Sequence, residues 1–237
     1  VARDASALVL LNDDFSSIVH AVRLGRRIFD NLKKAIAYIF AVHVPIAGMS
    51  FLPVLFNLPI VLLPGHIAFL ELIIDPACST VFESVPEEKG IMARPPRNLR
   101  EPLFNKKAFF LSLMQGLSIL AVVFGVYILA LVLKKGEMEA RTQAFATLVF
   151  ANIMLIVTNL SWSQNIFKLL KTRNAALWWV LSATFVALIA VLYVPFLRSL
   201  FHFSVLSIGE LVLAFACGSL SLVWFELLKA VQARKSG

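Results

Sequence analysis

Apolar residues gather into six stretches, near 35–57, 62–83, 108–133, 143–162, 176–196 and 205–228, separated by short polar connections. Each is about 20 residues or more, enough for a helix to cross a bilayer core. The pattern predicts an all-α membrane protein with six transmembrane helices. The second stretch is the most polar. Pro45, Pro53, Pro59, Pro64 and Pro76 all fall in or between the first two stretches, and elsewhere in the apolar interior only Pro195 occurs. A proline removes a backbone donor and frees a carbonyl on the preceding turn. Such breaks at membrane depth are tolerated where the freed groups face protein or a cavity. The first two stretches therefore read as the functional part and the last four as supporting helices.

The first 34 residues follow another pattern. Residues 5–11 read as a short buried strand, Asn12-Asp13-Asp14 as a turn, and Asp14 or Ser16 as a helix cap. From Ser16 onward Ile18, Val22, Ile28, Leu32 and Ile36 recur at helical spacing, with no breaker before Val44 beyond the mild one of Gly25. This predicts one helix that runs from a cytoplasmic segment into the bilayer. About 40 residues at 1.5 Å each make a rod of roughly 60 Å. The pattern alone also fits a juxtamembrane amphipathic helix.

Composition sharpens the class. The 237 residues are 59% hydrophobic and 15% charged, against about 25% charged in a soluble domain. A net charge of +8 would point a soluble protein toward nucleic acid. Here the basic residues flank apolar spans, so no nucleic-acid partner is expected and topology explains them. With six crossings, 18 lysines and arginines fall on the side of both termini, and only Lys134, Lys135, Arg141 and Arg198 on the other. By the positive-inside bias both ends are cytoplasmic. Cys78 and Cys217 both sit in apolar stretches and form neither a disulfide framework nor a metal-ligand spacing. The start, Val1-Ala2-Arg3-Asp4, carries no signal peptide and no initiator Met, which reads as an internal piece of a longer protein.

The chemistry concentrates in Glu71-Leu-Ile-Ile-Asp75-Pro76. Glu71 and Asp75 are four residues apart and share a helix face. Charges at membrane depth are costly and usually line an ion path or a water-filled cavity. Two carboxylates without a basic partner point to a cation as the missing counter-charge; a protonated, hydrogen-bonded structural pair is the other reading. Carboxylates and proline-freed carbonyls are oxygen ligands suited to Ca²⁺, and Mn²⁺ shares that preference while accepting imidazole. His43 would favour Mn²⁺ if it pointed inward; otherwise it is a helix histidine bonded to a backbone carbonyl. Cys78 reads as core filler. Glu83, Glu210 and Glu226 lie near span ends and read as interfacial.

Several of these segments resemble one family. Ala5-Ser-Ala-Leu-Val-Leu-Leu-Asn-Asp-Asp-Phe-Ser-Ser-Ile-Val19, with Gly25-Arg26 and Asn31-Leu-Lys33, resembles the end of the phosphorylation domain and the stalk of P-type cation-transporting ATPases. Ile91-Met-Ala-Arg-Pro-Pro-Arg97 resembles the loop after the sixth membrane helix in the calcium-pump branch, and Phe225-Glu-Leu-Leu-Lys229 the end of the last helix. The resemblance implies helices five to ten of a ten-helix pump over residues 35–237, preceded over residues 1–34 by a short α/β remnant of the phosphorylation domain and the stalk. Asp75 matches a sixth-helix cation ligand. Glu71 and His43 fall at ligand positions that are usually asparagine. Ile46 stands where two-site calcium pumps have glutamate, and Ile74 replaces a threonine ligand. By a looser match through Leu160-Ser161 and Gln164, Asn152 takes the place of an eighth-helix glutamate. One transported cation per cycle is therefore expected, with Glu71 and Asp75 as metal ligands beside Asn152 and His43.

The nucleophile motif Asp-Lys-Thr-Gly and the Mg²⁺-binding Gly-Asp-Gly-x-Asn-Asp segment do not occur in these residues. ATP and Mg²⁺ are then expected on the upstream half of the same pump, which with the lipid bilayer and the transported cation completes the partners. The basic loop 89–107 is expected either to dock on the phosphorylation domain or simply to mark topology. Short loops point to a bacterial plasma membrane. Two rival readings remain. An ATP-independent cation carrier would show internal repeats, and none is visible; a non-catalytic scaffold would lack the phosphorylated aspartate upstream.

Overall fold

The computed structural model describes residues 6, 9, 14–88, 90–96, 105–161 and 174–235. Helix α1 spans Ser16–Leu55, α2 Pro64–Pro76, α3 Lys106–Val132, α4 Glu137–Asn159, α5 Ala175–Tyr193, α6 Pro195–Leu200, α7 Ile208–Leu220 and α8 Val223–Lys235. A π-helical turn, Ala77–Val81, continues α2, and a 3₁₀ turn covers Ile91–Ala93. Among the described residues there is no strand. The strand expected over 5–11 and its turn lie largely outside them, as do the alignment anchor Gln164 and part of the basic loop 89–107.

Five helical stretches are long and apolar enough to cross a membrane: α1, α3, α4, α5, and α7 with α8 over Ile208–Val231. The stretch expected at 62–83 differs. It forms a 13-residue α-helix that ends at Pro76 and widens into the π-helical turn. The physical cause is local. Pro76 removes a donor inside the helix, and the hydroxyls of Ser79 and Thr80 donate back to the carbonyls of Asp75 and Pro76, four residues earlier. Side-chain donors that compete for carbonyls in this way bend helices.

The rod is present. α1 runs for 40 residues, with Pro45 and Pro53 inside it, or about 60 Å at 1.5 Å per residue. Asp14 accepts the Ser16 N–H at 2.8 Å, satisfying one orphan donor of the first turn. The stalk part is stitched to the loop that follows the π-turn. Arg26 Nη1 donates to the carbonyls of Ile91 (2.7 Å) and Arg94 (2.8 Å), and Arg94 pairs with Asp30 at 2.7 Å. Asn31 Nδ2 donates to Val85 O at 2.9 Å, and the buried Lys34 pairs with Glu88 at 2.8 Å. Thus the described part of the basic loop lies on the rod.

α4 is the centre of the bundle. Nearly every residue from Ala140 to Asn159 is buried, against α1, α3, α5 and α7. Helices associate closely in membranes where small residues let backbones approach, and two glycines do this here. A Cβ at Gly218 would meet Thr147 O of α4 at 2.9 Å, and one at Gly116 would meet Ala41 O and Val44 Cβ of α1 at 2.6 Å. Ala41 is the residue whose carbonyl loses its helical donor to Pro45, so α3 places its glycine where the rod has a freed oxygen. Gly116→Ala is expected to destabilise the protein. Overpacking costs about 1–3 kcal/mol, which exceeds the gain of up to about 1 kcal/mol from replacing a helical glycine. A lower thermal midpoint in detergent checks this; an unchanged or raised midpoint would show that the contact is slack.

On the side away from the stalk the loops are tied together by carbonyl-seeking donors. Tyr127 Oη donates to Pro59 O at 2.6 Å, and Arg141 Nε and Nη2 both donate to Ile60 O, at 3.1 and 3.0 Å. His66 is fully buried; its Nε2 lies 2.7 Å from Phe201 O and its ring stacks on Phe203 at 4.7 Å. Glu210, near the start of its span as expected, closes a capping box with Ser207 and pairs with Lys135. That hydrogen bond raises the Lys135 pKa above its ordinary value.

Candidate functional site

The candidate site lies where the rod and the short helix bring His43 and Glu71 together. α1 supplies His43, half-exposed along the helix. Its Nδ1 lies 2.8 Å from Ile39 O, an acceptor only, so the geometry assigns the proton to Nδ1. Nε2 then carries the lone pair and sits 3.6 Å from Glu71 Oε1 on α2. His43 is thus bonded to a backbone carbonyl through one nitrogen, while the other faces the Glu71 carboxylate.

Asp75 follows one turn later on α2 and is exposed in this chain. Its carbonyl accepts the Ser79 hydroxyl at 2.8 Å. The proline, the back-bonded hydroxyls and the π-turn place irregular backbone directly after the second carboxylate. No lysine or arginine pairs with Glu71 or Asp75 among the described residues. Cys78 is partly buried and packs against the core, as its reading as filler requires.

Asn152 makes no hydrogen bond to either carboxylate among the described residues. It is fully buried on α4, and both atoms of its amide lack partners among the described residues. A buried amide left unpaired is costly, so this side chain has unused ligating capacity, but no contact joins it to Glu71. The structure thus brings His43 to Glu71, places Asp75 a turn later on the same helix, and shows no hydrogen bond from Asn152 to them among the described residues. Among the described residues no three histidine, cysteine or acidic side chains converge closely enough to hold a metal ion.

Two features were missed in the sequence. Tyr38 is fully buried, its hydroxyl without a partner among the described residues and its ring 5.3 Å from Phe82; in an apolar run an isolated tyrosine gives no signal. Ser79 and Thr80 had a signal: hydroxyls four residues after Asp75 and Pro76 can reach those carbonyls.

With this geometry in place, comparison with known proteins is specific. The family described as "Cation transporting ATPase, C-terminus" matches residues 59–231. The chain is 30% identical over 237 residues to calcium-transporting ATPase 1 of Lactococcus lactis, covering 98% of this chain and 26% of that protein. It is 28% identical over 236 residues to the calcium-transporting ATPase of Bacillus subtilis, covering 99% and 26%. It is 27% identical over 234 residues to human calcium-transporting ATPase type 2C member 2, covering 97% and 24%. The chain therefore spans about a quarter of the length of these relatives. The family match over most of its length shows that this chain belongs to the P-type cation-transporting ATPases, as the C-terminal region of that family.

Proposed function

We propose that this chain is the ion-translocating membrane part of an ATP-driven cation pump, with Ca²⁺ as the cargo and Glu71 and Asp75 as its ligands. The observation that carries the proposal is the carboxylate pair on a proline-broken helix, with His43 beside Glu71 and no lysine or arginine partner among the described residues. Carboxylates beside loosened carbonyls make a flexible oxygen cage of the kind Ca²⁺ takes. Two charges from the protein balance one divalent ion. The relatives are calcium-transporting ATPases by name, which supports the same cargo here.

In this reading α2 with its π-turn completes six crossings, both ends lie in the cytoplasm, and the membrane is the plasma membrane. Residues 1–34 belong to the phosphorylation domain and stalk. ATP and Mg²⁺ are held by the rest of the pump, where an aspartyl phosphate forms. The rod moves with that domain and carries His43 relative to Glu71. Asn152 supplies an amide oxygen once the helices close, and missing ligands come from helices outside this chain.

One observation favours Mn²⁺ as a second cargo. Two ligands at about 2.2–2.4 Å from one ion lie roughly 3.1–3.7 Å apart when near a right angle. The 3.6 Å between His43 Nε2 and Glu71 Oε1 falls in that range, and imidazole suits Mn²⁺ better than Ca²⁺. The test is ATP-dependent uptake of radiolabelled Ca²⁺ by inside-out vesicles holding the complete protein, with Mn²⁺ as competitor. Uptake above the ATP-free control is expected, with Mn²⁺ competing at similar concentration. If no cation is taken up with ATP and none stimulates ATP hydrolysis, the pump reading is wrong.

A further inference from the structure

A cavity of about 240 Å³ lies between α1, α3 and α8, at the stalk end of the bundle and away from the carboxylates. Lys33 enters it from α1, Lys107 from α3 and Lys229 from α8. Lys229 is already committed: it is buried, pairs with Glu226 at 2.6 Å and donates to Thr158 O. Lys33 and Lys107 have no acidic partner among the described residues; the Lys33 ammonium rests over the Phe29 ring at 4.7 Å. The remaining wall is largely apolar, with Leu111 from α3 and Phe225 and Leu228 from α8.

At the back of the cavity stands Gln115, 1% exposed. Its Oε1 accepts from Asn159 Nδ2 at 3.4 Å, but its Nε2 is buried and meets no partner among the described residues. A buried donor without an acceptor is a deficit that a ligand can remove. The cavity therefore offers two lysines without an acidic partner among the described residues, an unmet amide donor inside and an apolar wall. This combination fits an anion joined to a hydrocarbon chain.

We propose that this cavity binds the headgroup of an anionic phospholipid, with the upper part of one acyl chain along Leu111 and Leu228. Basic pockets between membrane helices on the positively charged side recognise such headgroups. The volume lies below the 300–1,000 Å³ of pockets that enclose a whole drug-sized ligand, so the lipid keeps most of its chains in the bilayer. Lys33 belongs to the rod, so a bound lipid touches the element that reaches His43.

The test is native mass spectrometry of the complete protein in detergent, titrated with phosphatidylglycerol or with phosphatidylcholine of matched chains. The wild type is expected to retain one phosphatidylglycerol at least tenfold more tightly than phosphatidylcholine. Lys33→Gln with Lys107→Gln is expected to lose that preference, at about fivefold per lysine. Leu111→Trp, which fills the apolar wall and keeps both charges, is expected to lose retention too. The proposal fails if the wild type holds both lipids equally, or if the double variant holds phosphatidylglycerol as the wild type does. It fails equally if millimolar inorganic phosphate displaces the lipid, since the site would then take the bare anion.

Discussion

Asp75→Asn is expected to lower ATP-driven cation uptake by the complete pump at least a hundredfold at micromolar cation. The substitution keeps shape and one oxygen but removes a formal charge. Cation affinity in oxygen cages is set largely by ligand charge count and rigidity, and a hundredfold loss corresponds to about 2.7 kcal/mol. The fold should be spared, because Asp75 is exposed in this chain and its side chain has no hydrogen-bond partner among the described residues, whereas its carbonyl accepts from Ser79. Size-exclusion behaviour and yield of the variant should therefore match the wild type while uptake collapses. Glu71→Gln should do less, since His43 Nε2 at 3.6 Å still offers a lone pair to the ion. Normal uptake by Asp75→Asn would remove Asp75 from the site and leave the structural-pair reading of the two carboxylates.

The long elements were legible because their signals are summed over many residues. The rod shows how far this goes: helical spacing from Ile18 to Ile36 and the absence of a breaker were enough to foresee the uninterrupted α1. The second stretch shows where it stops. Its mean apolarity says only that it belongs in the membrane. Its actual form depends on Pro76 together with two hydroxyls that reach back to specific carbonyls, a conjunction that a hydropathy window averages away. Glu71 stood out because a carboxylate in so apolar a stretch has few explanations. Its pairing with His43 was not legible, since that depends on how α1 and α2 are set relative to each other. Asn152 is a different case: one buried amide in an apolar helix is readable as a ligand only through resemblance, and its amide has no partner among the described residues.

Lys34→Met is expected to be among the most destabilising single changes, by about 3 kcal/mol. Lys34 is 3% exposed and its Nζ lies 2.8 Å from Glu88 Oε1, whose side chain is itself only 13% exposed. The same oxygen accepts the Ser161 hydroxyl at 3.0 Å. One carboxylate thus ties the rod, the loop after the π-turn and the end of α4 together. Methionine keeps the length and packing of the lysine stem, so the loss reads out the charge left behind. Removing one partner strands a poorly hydrated carboxylate, which is why such changes cost more than the pair itself contributes. The double variant Lys34→Met with Glu88→Leu separates the two effects, because replacing a buried pair by apolar residues is often close to neutral. In detergent the single variant should melt several degrees below the wild type, and the double variant should regain most of that difference. Equal losses from single and double variants would mean that Glu88 is held by its other contacts and that the ion pair does not pin the rod. If the pair does pin it, the same coupling energy joins the N-terminal half of α1 to the loop that leaves the carboxylate helix, so on the proposed reading movement of the rod would reach Glu71 and Asp75 from both of their flanks.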